Sequence, residues 1–163
     1  MLDRREVLDR KEGNLAKARA VPACDRRVVA VDLEQPGWVR NLLKAGFNPG
    51  ARSVWLAEGC FIYLDGVVVN QILDELTESA GSGSRLGADF VSEDFMNRQL
   101  MGPHLDQMER AGISWRFSTN QPEALLSSRR WTVPVKQPGE DGANFGRGPH
   151  PVVDRQVSGA VPV

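Results

Sequence analysis

Two acidic residues stand where a side chain could reach a ligand. Asp32 follows the apolar run 28–31 in RRVVAVDL, and Glu58 closes SVWLAE with Gly59 beside it. A carboxylate at a strand end next to an aliphatic residue suits adenosine. The acid can accept from the exocyclic amine of adenine while Leu33 packs on the ring face. The alternative for Asp32 is a bond to the backbone of the turn EQPG that follows it. Glu58 has two readings as well. It either meets a cationic ligand group at the rim of the same cleft, or it caps the next turn while Gly59 supplies a tight bend.

Other chemistry-bearing residues carry less. GSGSRLG (81–87) has the glycines of a phosphate-binding loop but follows a helix and opens a strand, the reverse of what such a loop needs. His104 and His150 are too far apart for a metal site, so no metal is expected. HExxH, GxSxG, P-loop and GxGxxG patterns are absent, and the lack of the last argues against a nicotinamide oxidoreductase. Tyr63 could line a cleft or simply pack. The arginine in GANFGRG (142–148) could meet an anion or sit in a solvated turn. No residue stands out as a general base, so the catalytic residues are unassigned.

These residues need elements to hold them. Residues 4–20 form a weak helical stripe interrupted by Gly13. RRVVAVDL reads as a short, fully apolar strand from Val28 to Val31, and SVWLAE as a second buried strand. WVRNLLKAG (38–46) reads as a helix stopped by Gly46. Asp65 caps a helix with apolar positions at Val68, Val69, Ile72, Leu73 and Leu76. RLGADFV is a third strand. SEDFMNRQLM and PHLDQMERAG are helical, and ISWRFST is a short strand. NQPEALLSSRRW starts as a helix, and WTVPVKQ is a last strand, pushed to an edge by Pro134. Strands alternating with helices predict an α/β fold with a mostly parallel sheet. In such sheets ligands bind beyond the carboxyl ends of the strands, which is where Asp32 and Glu58 lie. The Gly- and Pro-rich segment 138–163 has no periodicity, so the expected organisation is one domain over 1–137 with 138–163 as an irregular extension of it.

Composition narrows the partners. With 163 residues the chain can bury a core, and a net charge of -1 gives no footprint for nucleic acid or an acidic membrane. Cys24 and Cys60 form no CxxC, which fits reduced thiols. The N-terminus is charged from residue 3 and lacks an apolar signal segment, and no apolar run is long enough to span a bilayer. A cytoplasmic protein without membrane or nucleic-acid partners is the expectation.

The ordered set VLDRKEGNL, RRVVAVDL, LLKAGFNPG, SVWLAEGCFIYL, GSRLGADFV, PEALL with RRWTV, and GANFGRG resembles one family. It is similar to the bacterial S-adenosylmethionine-dependent methyltransferases related to leucine carboxyl methyltransferase. The most specific pieces are VAVDL, AGFNPG and EGCFIYL. The resemblance implies a Rossmann-like, doubly wound methyltransferase sheet that binds S-adenosyl-L-methionine. It assigns Asp32 and Leu33 to the adenine end, Asp3 to the ribose side, and Glu58 with Gly59 to the methionine end. It also implies an incomplete sheet, cut at both ends, with the first and last strands of the family missing. The expected activity is methyl transfer to an oxygen of a small-molecule carboxylate or hydroxyl substrate, weak or absent in this piece alone. The alternative is a non-catalytic remnant or interaction module that self-associates through unpaired strand edges.

Overall fold

The computed structural model describes residues 1–97 and 101–143. They fall into two compact units, one made of Met1–Asp89 with Ser114–Phe117, the other of the remainder.

The first unit contains two strand–helix–strand repeats. Strand β1 (Leu2–Asp3) leads into helix α1 (Arg5–Lys17), which returns the chain to β2 (Val29–Ala30), parallel to β1. Gly13 does not break α1; it lies within the helix with open space around it. Helix α2 (Trp38–Lys44) follows. Its end has the reciprocal bonding of a Schellman cap: Phe47 donates to the Leu42 carbonyl and Gly46 to that of Leu43. Strand β3 (Val54–Ala57), a 3-10 turn (Phe61–Tyr63) and helix α3 (Gly66–Ser79) lead to β4 (Arg85–Ala88), parallel to β3. Parallel neighbours cannot be joined by a hairpin, so each pair uses a helix as its crossover. The apolar run CFIYL therefore serves as the 3-10 turn between β3 and α3.

The expected parallel α/β pattern is present as two two-stranded sheets, β1–β2 and β3–β4. The core lies under α3, whose Val69 and Leu73 are fully buried, together with Leu8, Trp38 and Phe61. Trp55 of β3 meets Trp38 and Phe47 edge to face, with ring centroids at 6.2 and 5.2 Å.

Three expectations need correction. SVWLAE is not buried on both faces: Val54 and Leu56 are 79% and 75% exposed, and only the face carrying Trp55 and Ala57 turns inward. ISWRFST forms no strand. Its Arg116 and Phe117 N–H groups both go to the single carbonyl of Ile62, a pattern that cannot extend into a ladder. WTVPVKQ is likewise irregular, because Pro134 lacks a donor and no strand among the described residues lies along it.

The described residues of the second unit are helical and irregular. Helix α4 (Glu93–Met96) is capped by the Ser92 hydroxyl, which accepts from the Phe95 N–H at 3.1 Å. Helix α5 (Gly102–Arg110) has Pro103 in its first turn, and α6 (Pro122–Ser127) starts at Pro122 and buries Leu126. Thr119 donates to the Val91 carbonyl at 2.9 Å. His150 and most of GANFGRG lie outside the described residues.

Candidate functional site

The backbone ladder decides where the acids stand. Asp3 pairs with Ala30, and the Val31 N–H closes the last rung on the Asp3 carbonyl at 2.9 Å. Asp32 is the next residue, so it leaves β2 at the same end at which Asp3 leaves β1. In the other pair the Asp89 N–H reaches the Ala57 carbonyl at 3.3 Å, so Asp89 leaves β4 where Glu58 leaves β3. All four acids therefore sit at carboxyl ends of parallel strands.

The ends of the two sheets also influence a shared group. Burial pushes the Cys60 thiol pKa up, and the negative charges of Asp3 and Asp89 push it further. Arg116 donates both to Glu34, two residues past Asp32, and to Asp65, past the tip of β3, so groups beyond the strand ends of both sheets are linked within the first unit.

The bonding of each acid separates its structural role from its free capacity. Asp32 Oδ1 accepts the Glu34 N–H at 3.0 Å, with Arg4 Nη2 at 3.9 Å. The turn-bonding alternative for Asp32 is thus realised, but by one oxygen. The carboxylate is 45% exposed, and Oδ2 has no partner among the described residues. Asp3 Oδ1 accepts the N–H of Arg4 at 2.9 Å, which again leaves one oxygen. Leu33 is half-buried beside Asp32. Glu58 is exposed and caps nothing among the described residues. Capping there falls to Asp89, whose two oxygens accept the Gly59 N–H at 2.9 and 3.0 Å. Gly59 has φ +55, the left-handed region that glycine enters without strain.

GSGSRLG behaves as its position requires. It runs into β4 at Arg85, and a Cβ on Gly81 would lie 1.9 Å from the Gly50 carbonyl oxygen. Glycine is needed there for close passage of two backbone segments, not for a phosphate. No group of three or more acids, histidines and cysteines among the described residues could hold a metal. Cys24 and Cys60 are both free thiols. No helix among the described residues is long and apolar enough to cross a membrane.

Asp89 is absent from the set read from sequence because a strand read through Val91 holds it in its interior, whereas β4 ends at Ala88. Glu34, Arg4 and Arg116, which surround Asp32 and its turn, carried no local signal: Arg116 meets Glu34 across 82 residues of sequence.

Residues 2–77, which include Asp3, Asp32, Leu33, Glu58 and Gly59, match the model of the family described as leucine carboxyl methyltransferase. Over this stretch, a little under half of its length, the chain is similar to that family. A Saccharopolyspora erythraea protein is 33% identical over 94% of the chain and 54% of its own length. A Mycobacterium ulcerans protein is 33% identical over 81% of the chain and 44% of its own length. One from Mycolicibacterium paratuberculosis is 35% identical over 71% of the chain and 36% of its own length. Each is provisionally named an S-adenosyl-L-methionine-dependent methyltransferase. The chain spans about half the length, or less, of these curated relatives.

Proposed function

We propose that this chain is a leucine carboxyl methyltransferase relative that binds S-adenosyl-L-methionine at the carboxyl ends of its parallel strands and serves methyl transfer to an oxygen acceptor. One observation carries the reading. Asp3, Asp32 and Glu58 leave parallel strands at their carboxyl ends, and each keeps at least one oxygen unengaged among the described residues.

That donor set suits the ligand. Carboxylate oxygens accept from ribose hydroxyls and from the adenine amine, and half-buried Leu33 offers an apolar surface to a ring. An acidic rim also suits a sulfonium centre, which carries positive charge. In this reading Asp32 and Leu33 hold the adenine end, Asp3 the ribose, and Glu58 with Gly59 the methionine end. When bound, the donor supplies an electrophilic methyl group. The chain's contribution is to orient it for in-line attack, and positioning alone can supply much of the rate. A carboxylate acceptor needs no general base, which fits a site in which none stands out. A small carboxylate or hydroxyl compound is the proposed acceptor class.

The affinity of this chain taken alone is proposed to be modest. Two-stranded sheets are weakly self-sufficient, so strand ends held mainly by side chains are less fixed than in a continuous sheet. Ultraviolet cross-linking with radiolabelled S-adenosyl-L-methionine tests the reading. Label should enter the wild type, be displaced by unlabelled donor, and be lost in Asp32→Ala. Undiminished labelling of Asp32→Ala would remove the carboxylate from the site.

A further inference from the structure

Glu34 and Arg116 lie outside the set of residues proposed to touch the donor, yet they are bonded more densely than any of it. Glu34 is held from two sides: Oε2 accepts from Arg4 Nη2 at 2.7 Å and Oε1 from Arg116 Nη2 at 2.6 Å. Arg116 reaches further. Its Nη1 donates to Asp65 Oδ2 at 3.1 Å and its Nε to the Tyr63 carbonyl at 2.7 Å. Its own backbone N–H donates to the Ile62 carbonyl at 2.7 Å. Three guanidinium nitrogens thus serve three acceptors while the main chain behind them is pinned. That is the use of a planar fork, which a lysine cannot reproduce.

The groups at the ends of this network give it its meaning. Arg4 follows Asp3 at the tip of β1. Glu34 lies two residues beyond Asp32 and donates its backbone N–H to that carboxylate. Ile62, Tyr63 and Asp65 follow Glu58 and Gly59 beyond the tip of β3. Among the described residues the ladder joins β1 to β2 and β3 to β4, and none joins one pair to the other. Arg116 bridges their tips through side chains.

We propose that Arg116 is a positioning residue that sets the span between the nucleoside-side acids, Asp3 and Asp32, and the methionine-side pair, Glu58 and Gly59. The inference rests on the methyl-donor reading above. A ligand with two linked ends gains from the linkage only when its two subsites are held at the matching distance. Exposed ion pairs contribute little to folding, so a purely structural role for Arg116 would disturb both subsites slightly and alike.

Calorimetry with S-adenosylhomocysteine and with adenosine alone separates the cases, applied to wild type, Arg116→Met, Arg116→Lys and Asp32→Ala. Arg116→Met should weaken S-adenosylhomocysteine by at least about tenfold while leaving adenosine within about twofold. Arg116→Lys should recover part of the loss, because a cation still draws Glu34 and Asp65 together. Asp32→Ala should weaken both ligands. Unchanged S-adenosylhomocysteine binding in Arg116→Met overturns the proposal, as does equal loss of adenosine or no recovery with lysine. A wild type that binds neither compound overturns the donor reading itself, and the positioning role with it.

Discussion

Phe61→Ala should be among the most damaging single substitutions in the first unit, and Leu56→Ala should be nearly silent, although the two residues lie close together in apolar sequence. Phe61 is 1% exposed in the turn that follows Glu58 and Gly59. Removing its ring loses the transfer energy of the side chain and leaves a cavity, together about 3–5 kcal/mol. Leu56 is 75% exposed, so only about a quarter of a full leucine burial of about 1.5–3 kcal/mol is at stake, or about 0.4–0.8 kcal/mol. Domains are stable by about 5–15 kcal/mol, so the first change removes a large share of the total and the second does not. At about 2–4 °C per kcal/mol for a chain of this size, Phe61→Ala should lower Tm by about 6–20 °C. Urea titration and thermal melting followed by circular dichroism at 222 nm measure both. A Phe61→Ala variant within about 1 kcal/mol of wild type would place the ring outside the core. A Leu56→Ala loss as large as that of Phe61→Ala would mean that the outer face of β3 is covered.

Two further predictions concern the rim. Gly59→Ala meets open space around its new methyl group, so its cost comes from the backbone at φ +55 and should be about 1–2 kcal/mol in urea titration. Asparagine at that position should cost less, because its side chain tolerates the left-handed region. Cys60 should resist alkylation by iodoacetamide near neutral pH while exposed Cys24 reacts, since burial and the charges of Asp3 and Asp89 suppress its thiolate. The sign for stability follows. The folded thiol keeps its proton where the unfolded one has lost it, so stability should fall as pH rises through and above the ordinary thiol range. Peptide mapping by mass spectrometry reads the alkylation, and equal rates at the two cysteines would refute it.

What the sequence made legible was local. Asp32 and Glu58 could be found because a carboxylate that ends an apolar run announces itself within six residues, and the parallel arrangement then fixes which end of the sheet it occupies. Asp89 escapes that rule, because Phe90 and Val91 continue the apolar run past it. Gly46 and the buried stripe of α3 were readable for the same reason, since a cap or a helical face is encoded in a few neighbouring positions. ISWRFST and WTVPVKQ have strand composition but form no strand, because a strand is completed by a partner and composition cannot supply one. Val54 and Leu56 misled in a related way: a continuous apolar run predicts two covered faces, and coverage depends on what lies opposite.

The same division separates the acids of the rim from the spacing between them. Each acid is placed by its own strand, so its position survives as long as that βαβ repeat folds. The distance between the two pairs of tips is not written in either repeat. On the positioning role proposed for Arg116, it is set by the Glu34–Arg116–Asp65 contacts, made between residues 51 and 82 positions apart in the chain. Identity at the strand ends therefore does not by itself deliver a ligand site; relatives that preserve the acids but lose the arginine fork would have to fix the span by other means, such as a backbone ladder joining the two pairs. On that proposal, a substitution that leaves every strand-end acid intact can still uncouple the two proposed subsites, with folding nearly unchanged.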